Sequence, residues 1–235
     1  MYGLLVSAGL VVLLAAPSLA QAEEQEQITK ASNSVPVYIP PKRGAPVGRI
    51  GGGSRLPGIN LPALYVLAPD HTGLTTQEQP TLYWFVSGPA ETSIRITVLD
   101  EEGIDPLLET GLEAVRVGGI HELPLADHGI ALQLNVEYQW FVSLVADPAK
   151  RSKDVVSGGT IRRVEASVEL TNALSDANTG RAGFVYAENG IWYDAIEALS
   201  KQIERSPDDA SLRIQRAALL EQVELMEVAA FDRNE

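Results

Sequence analysis

Hydrophobic and polar positions alternate with a period of two through the middle of the chain, which indicates strands that bury one face. Residues 94–98 follow this pattern, and residues 136–144 repeat it over a longer stretch. Residues 80–86 form an almost continuous apolar run that is too short for a globular helix and rich in aromatic residues, so they predict a central strand. Residues 100–103 predict a hairpin turn, and residues 155–164 predict the last strand.

Strands of this length and spacing are typical of a β-sandwich, which we expect over residues 61–165. Leu132, Leu134 and Tyr138 resemble the tyrosine corner of immunoglobulin-like and fibronectin type III sandwiches, in which the phenol hydroxyl bonds to upstream backbone. Trp84 and Trp140 fall on strands that we expect to be neighbours, and both are predicted to lie in the core.

The hydrophobic period becomes helical towards the end of the chain, which predicts a helical hairpin within residues 166–235. The first helix has the apolar stripe Trp192, Ala195, Ile196, Leu199 and Ile203, and the second has Leu212, Leu219, Val223, Met226 and Ala230. Between them, Ser206 and Pro207 predict a helix start, as N-cap and first helical residue.

Trp192 belongs to the buried stripe of the first helix, whereas its neighbour Tyr193 points about 100° away. We therefore expect Tyr193 and Asp194 at the seam between helices and sandwich, with a structural, orienting hydrogen bond across it. The same region matches part of one tetratricopeptide repeat. Gly183, Tyr186, Ala195 and Pro207 occur at the positions where the repeat has these residue types. One partial repeat and an additional helix favour a cap packed on the sandwich.

The first twenty residues are uncharged and apolar and end in small residues, as in an export signal. Cleavage is expected after Ala20 or Ala22, so residues 1–22 are taken as a signal peptide and the protein as periplasmic or secreted. The alternative is a membrane anchor, but the apolar run is shorter than the roughly 20 residues that span a bilayer. No transmembrane span is expected after removal of the signal.

Residues 23–60 are predicted to form an extended, flexible arm rich in Gly and Pro. The arm is basic, and no acidic residue occurs between Gln27 and Pro69. Its candidate partner-binding residues are Lys42, Arg43, Arg49 and Arg55. An acidic partner is expected, either an anionic polymer, the acidic helices of this chain or a second copy; a solvated linker is the alternative.

Charge and composition exclude several classes of function. The formal net charge of −13 argues against a nucleic-acid partner, and the absence of cysteine removes thiol chemistry and cysteine-ligated metals. His121 and Glu122 begin like a zinc motif, but Pro124 and Leu125 break it. An improvised metal site of His121, Glu122, Asp127 and His128 is the alternative. Ordinary loop residues that face water are favoured over it. No catalytic, cofactor-binding or metal-binding residue is assigned, and no cofactor is expected.

Several ordered motifs resemble one bacterial family. They are residues 40–46 and 51–55 of the arm, residues 73–75 and 80–86, residues 138–140, and residues 190–195. Together they are similar to DUF928, a domain of unknown function, over roughly residues 36–225. The resemblance implies an exported protein and supplies no established activity or catalytic residues.

The sequence as a whole favours an exported, non-enzymatic interaction module of the cell envelope that holds a partner protein or an anionic polymer. The first alternative is a carbohydrate-binding or cell-wall-associated module, since tryptophan on a sandwich can stack on sugars. The second alternative is a hydrolase whose site the sequence does not reveal. The oligomeric state stays open.

Overall fold

The computed structural model describes residues 35–41, 49–51, 61–147, 149–177 and 179–235. The expected signal peptide and the candidate residues Lys42, Arg43 and Arg55 lie outside the described residues. Those that are described belong to one unit, Val35–Glu235, in which strands and helices share a single large core.

Nine strands form two sheets within this part of the chain. They are β1 (Ile50–Gly51), β2 (Leu64–Val66), β3 (Gly73–Thr75), β4 (Thr81–Val86), β5 (Ile94–Leu99), β6 (Pro106–Leu112), β7 (Gly119–Pro124), β8 (Glu137–Leu144) and β9 (Val155–Arg163). The larger sheet has the order β1-β9-β8-β5-β6, with β3 added parallel to β9, and the smaller sheet has the order β2-β4-β7. All other pairings are antiparallel.

The expected strands form where their hydrophobic pattern indicated. β5 and β8 bury alternate residues along their whole length, whereas β4 is buried at every position, because both faces of the smaller sheet are covered there. The turn between β5 and β6 is closed by the Gly103 amide, which donates to the Asp100 carbonyl at 3.1 Å, and Gly103 has a positive φ of 64°. A protein of mainly β structure followed by helices is thus confirmed.

Trp84 and Trp140 are both in the core, at 1% and 0% exposure. The expectation that their strands are neighbours was wrong, because Trp84 is on β4 of the smaller sheet and Trp140 is on β8 of the larger one. Period-two burial shows that a strand has a core face, but it does not show which strands pair.

Five α-helices follow the sheets in the described residues, where we expected a hairpin of two. They are α1 (Val168–Asp176), α2 (Ala182–Glu188), α3 (Trp192–Arg205), α4 (Ala210–Gln222) and α5 (Met226–Asn234). The expected second helix is broken into α4 and α5 at Glu224, which adopts a left-handed φ of 62°. The break lets Leu225 turn inwards, where it is 1% exposed and its amide bonds to the Leu220 carbonyl.

The start of α4 also differs from the expectation. Asp209 is the N-cap, since its carboxylate accepts from the Ser211 amide at 3.0 Å, and Ser206 and Pro207 belong to the connection before it. An Asp close to a helix start caps as well as a Ser, so sequence preference alone did not decide between them.

Two short pieces of the arm are held by the rest of the protein. In the first, the Tyr38 amide donates to the Gln222 side chain at 2.8 Å, Gln222 donates back to the Pro36 carbonyl, and the Ile39 amide donates to the Ala187 carbonyl. In the second, β1 pairs with β9 at the edge of the larger sheet. Residues 35–41 and 49–51 are therefore docked on helices and sheet.

Candidate functional site

The seam between α3 and the sheets contains the first group of buried polar residues. The Tyr193 hydroxyl accepts a hydrogen bond from Trp140 Nε1 and donates one to the Thr160 carbonyl, both at 2.9 Å. Its neighbour Trp192 is fully buried and donates from Nε1 to the Leu67 carbonyl at 2.8 Å. The two rings thus join α3 to different parts of the β-sheet region, Tyr193 to β8 and β9 and Trp192 to the residue after β2.

Asp194 is buried beside these rings and accepts hydrogen bonds from the last residue of β3 and the residue after it. Its carboxylate accepts from the Thr75 hydroxyl at 2.5 Å, from the Thr76 amide at 3.0 Å and from the Thr76 hydroxyl. Burial raises the pKa of Asp194, and the hydrogen bonds from both threonines oppose that rise. Because its oxygens already have protein donors, Asp194 holds the 75–76 segment against α3.

Glu197 lies one turn further along α3 and is 4% exposed. Its carboxylate accepts from Thr81 at 3.0 Å and also from Gln77 and Lys201. Like Asp194, Glu197 accepts its hydrogen bonds from groups of this chain. These contacts stabilise the packing of α3 on the sheets.

Tyr138 makes the contact that defines a tyrosine corner. Its ring is 3% exposed, and its hydroxyl accepts from the Gln133 amide, five residues upstream, at 3.0 Å. The contact orders the turn that leads into β8.

Arg49 of the arm is bonded to both halves of the protein. Its guanidinium donates to the Ala68 carbonyl at 3.1 Å and to the Val223 carbonyl at 3.0 Å, and burial lowers its pKa. Nearby, the Tyr38 hydroxyl contacts His71 Nε2 at 2.9 Å, and the other ring nitrogen of His71 contacts Asp70 at 3.0 Å. Arg49 is thus engaged within the chain, in contrast to an arm guanidinium free for an outside partner.

A buried ion pair joins the last two helices. Arg216 of α4 binds Asp232 of α5 in bidentate fashion, at 2.8 and 2.7 Å, and donates a third bond to Ser200 of α3 at 2.9 Å. Both charged side chains are buried, and each neutralises the charge of the other.

A pocket of about 550 Å³ opens beside this ion pair, between the smaller sheet and helices α3 and α4. Its volume is within the range of small-molecule sites. Strands β4 and β7 contribute one wall, the segment after β6 contributes a second, and the two helices contribute the third. The lining residues that bear on its chemistry are Tyr83, Trp84, His121, Glu122, Ser200, Glu204, Arg213 and Arg216, together with Glu113 and Glu235.

Three buried polar atoms of the pocket-lining residues have no hydrogen-bond partner among the described residues. They are Trp84 Nε1, His121 Nε2 and Arg213 Nε. Tyr83 and Trp84 are 3% and 1% exposed, and the imidazole of His121 stacks on Trp84 with ring centroids 4.5 Å apart. The register pairs Trp84 with His121 and Tyr83 with Glu122, and Thr81 bonds to Glu197 of α3, so Trp84 and His121 lie on the face of the smaller sheet turned away from α3.

The lining of the pocket combines buried neutral rings with exposed carboxylates. Burial lowers the pKa of His121, partly opposed by a bond to the Val117 backbone, so the ring is neutral near pH 7. Burial raises the pKa of Tyr83, and the charges of Glu122 and Glu197 raise it further. Glu122 and Glu204 are exposed, so their charges lie towards the mouth.

The structure separates the residues that the zinc-like motif had grouped. His121 and Glu122 line the pocket, whereas Asp127 and His128 are in a short 3₁₀ turn and do not line it. Across the described ranges, no three residues of the His, Asp and Glu types form a cluster able to hold a metal ion. Nor does any described helix have the length and apolar character needed to cross a membrane.

Sequence reasoning missed Tyr83, Glu204 and Arg213 as site residues. They come from segments that are far apart in the chain, and each one alone is an ordinary strand or helix residue. The one signal available was Tyr83 beside Trp84 on a strand, and we had interpreted that aromatic run as core.

Fold and site define a protein of two β-sheets capped by helices, with a polar pocket beside the smaller sheet. The chain belongs to the DUF928 family, whose model, described as a domain of unknown function, matches residues 50–232. No curated protein matches the chain. Among solved structures, a multi-domain immunophilin from Arabidopsis thaliana aligns with 82% of this chain and 98% of its own at 6% identity, with a TM-score of 0.18. A score that low supports no argument about fold or function.

Proposed function

We propose that this protein is an exported, non-enzymatic binding module of the cell envelope and that the pocket between the smaller sheet and α3 and α4 is its ligand site. The observation that carries the proposal is the pocket itself, a cavity of about 550 Å³ whose lining brings together polar and charged side chains of β4, β7, α3 and α4. The seam around Tyr193 and Asp194, by contrast, is already saturated by this chain.

The pocket, and no longer the basic arm, is the site at which we expect a ligand to bind. Of the four arm residues that we singled out, Arg49 is the one that the structure describes, and its guanidinium bonds to two carbonyl groups of this chain. The pocket is also lined by more carboxylates than cations, which favours the carbohydrate-binding alternative over an anionic polymer at this site.

The proposal of export rests on the apolar leader and predicts a mature chain that starts at Gln21 or Glu23. Mass analysis of the protein from its native host checks this, and an intact Met1 on a cytoplasmic product would contradict it. For the fold, we propose a variant of the immunoglobulin-like sandwich. The Tyr138 corner supports it, while the parallel pairing of β3 with β9 is a departure.

The ligand site is tested by a thermal-shift screen of the purified protein against neutral saccharides, amino saccharides, amino acids, polyamines and nucleotides. A ligand at 100 times its Kd stabilises the folded state by about 2.7 kcal/mol. In a chain of this size, that raises Tm by about 5 to 10 °C.

Arg213→Gln removes the cation of the pocket lining that pairs with no carboxylate of the described residues, and we expect it to lose most of the ligand-induced shift. Arg205→Gln makes the same charge change on an exposed residue outside the pocket and should keep the full shift. If no compound stabilises the wild type, or if one stabilises Arg213→Gln equally, the pocket is not the ligand site.

A further inference from the structure

We infer that the groove in which residues 35–41 lie is a docking site for an extended, tyrosine-bearing segment of a partner protein, and that residues 35–41 cover it until such a segment displaces them. The residues that form this groove are His71, Ala187, Gly190, Trp192 and Gln222. None of them lines the proposed ligand pocket, so the groove is a separate site.

The groove holds the main chain of the segment, and main-chain recognition is open to many sequences. The Gln222 side chain accepts from the Tyr38 amide at 2.8 Å and donates to the Pro36 carbonyl at 2.9 Å. The Ala187 carbonyl accepts from the Ile39 amide at 3.1 Å. Proteins that bind extended peptides take their affinity from such main-chain bonds and their specificity from pockets for alternate side chains.

Gly190 leaves room for this main chain. A Cβ atom on Gly190 would lie 2.8 Å from the Ile39 carbonyl oxygen and 3.4 Å from the ring of Pro41. The turn between α2 and α3 therefore has no side chain at the place where the segment passes, and the backbone comes into close contact with it.

One side chain of the segment is recognised individually. Tyr38 is 7% exposed, and its ring meets Trp192 edge to face at a centroid distance of 5.0 Å. Its hydroxyl contacts His71 Nε2 at 2.9 Å, and His71 Nδ1 contacts the Asp70 carboxylate at 3.0 Å. Because a carboxylate only accepts, Nδ1 carries the proton, and Nε2 of the neutral ring accepts from the phenol. The groove therefore favours tyrosine over phenylalanine at this position.

The segment is held weakly for its length. Val35, Val37 and Ile39 are 37%, 54% and 55% exposed, so only alternate side chains are buried. Ordering residues 35–41 costs backbone entropy at each position. Against this cost stand one buried ring, one buried proline and the main-chain and phenol bonds described above, each of which replaces a bond to water. We therefore expect the segment to leave the groove without unfolding of the rest of the protein.

A partner segment with the same pattern would make every contact that residues 35–41 make. The pattern is an extended chain with a tyrosine and, two residues before it, a proline. Because the chain's own segment competes, the apparent affinity for the partner falls by the fraction of molecules in which the groove is open. Residues 35–41 thus set the concentration at which a partner is captured.

The test measures binding of a labelled peptide with the sequence of residues 33–43 to the full mature chain by fluorescence anisotropy. Tyr38→Ser in the protein removes the anchor of its own segment, so this variant should bind the peptide about tenfold more tightly than the wild type. A peptide with phenylalanine in place of the tyrosine should bind about three- to tenfold more weakly, because it lacks the hydroxyl that donates to His71.

The matched variants change a glutamine in the Tyr38→Ser background. Gln222→Ala removes the group that holds the peptide main chain and should abolish tight binding. Gln202→Ala changes a residue of α3 that forms no hydrogen bond with residues 35–41 of the described chain and should leave binding intact. Circular dichroism checks that each variant is folded.

Hydrogen exchange of the unchanged protein gives a second measurement that needs no variant. The amides of Tyr38 and Ile39 should exchange about 100-fold faster than those in the middle of β8, which is paired on both sides. Equal protection would show a segment that leaves only on global unfolding and would overturn its role as a displaceable cover.

The peptide results decide the rest. Equally weak binding by the wild type and a folded Tyr38→Ser variant overturns the docking site. Equal affinity of the tyrosine and phenylalanine peptides overturns recognition of the phenol. If the wild type forms a dimer in analytical ultracentrifugation and Tyr38→Ser does not, the occupant is a second copy of this chain and the partner protein is wrong. The ligand pocket has its own screen, and these outcomes leave it standing.

Discussion

The Tyr193 hydroxyl bridges α3 and the larger sheet, so its removal is a direct test of how the helical cap is held. In Tyr193→Phe the ring remains, but the oxygen that accepts from Trp140 Nε1 and donates to the Thr160 carbonyl, both at 2.9 Å, is lost. Tyr193 and Trp140 are 2% and 0% exposed, so water does not replace the missing oxygen without a local opening.

The cost follows from the two groups left behind. A buried polar group without a partner costs about 1 to 3 kcal/mol. The Trp140 N–H loses its one acceptor, whereas the Thr160 carbonyl has a second lone pair, so we expect about 2 to 4 kcal/mol of lost unfolding free energy. For a chain of this size, that lowers Tm by about 5 to 15 °C.

Urea unfolding followed by tryptophan fluorescence measures the free energy, and near-UV circular dichroism checks that the variant keeps its packing. Tyr186→Phe is the control, since it removes the same atom from a half-buried ring for which no hydroxyl hydrogen bond is formed within the described ranges. If Tyr193→Phe loses no more stability than this control, the hydrogen bonds at the seam do not hold the cap and our reasoning is refuted.

Three further changes test other contacts. Tyr138→Phe leaves the Gln133 amide without its acceptor and should cost about 1 to 3 kcal/mol by urea unfolding; an unchanged midpoint would contradict the corner. Asp232→Ala strands the buried charge of Arg216 and should cost about 3 to 5 kcal/mol by the same assay, and a loss below 1 kcal/mol would show that the pair is solvated. Arg49→Gln removes two bonds to carbonyl groups and should cost about 1 to 2 kcal/mol in a thermal melt, whereas full stability would indicate an arm that contributes nothing to the fold.

Local pattern was enough to locate four of the nine strands of the described residues and the first long helix. The alternation in β5 and β8 and the stripe on α3 arise because each element buries one face, and burial imposes its own period on nearby residues. The Tyr138 contact also spans only five residues, so the spacing of Leu132, Leu134 and Tyr138 was sufficient to suggest it.

The break between α4 and α5 was not visible in the same way. Residues 223–225 contain neither Gly nor Pro, and the left-handed residue is Glu224. The conformation is set by burial of Leu225, a tertiary contact that overrides local preference.

The sequence by itself determined the class of fold, the change from strands to helices along the chain and the lack of thiol chemistry, because these depend on composition and on periods of a few residues. Only the tertiary structure decided that Trp84 and Trp140 lie in different sheets and that Arg49 is bonded within the chain. It alone also brought Tyr83, His121 and Arg213 around one pocket. Such a pocket depends on which surfaces of distant segments meet, and a linear pattern of hydrophobic positions carries no information about that meeting.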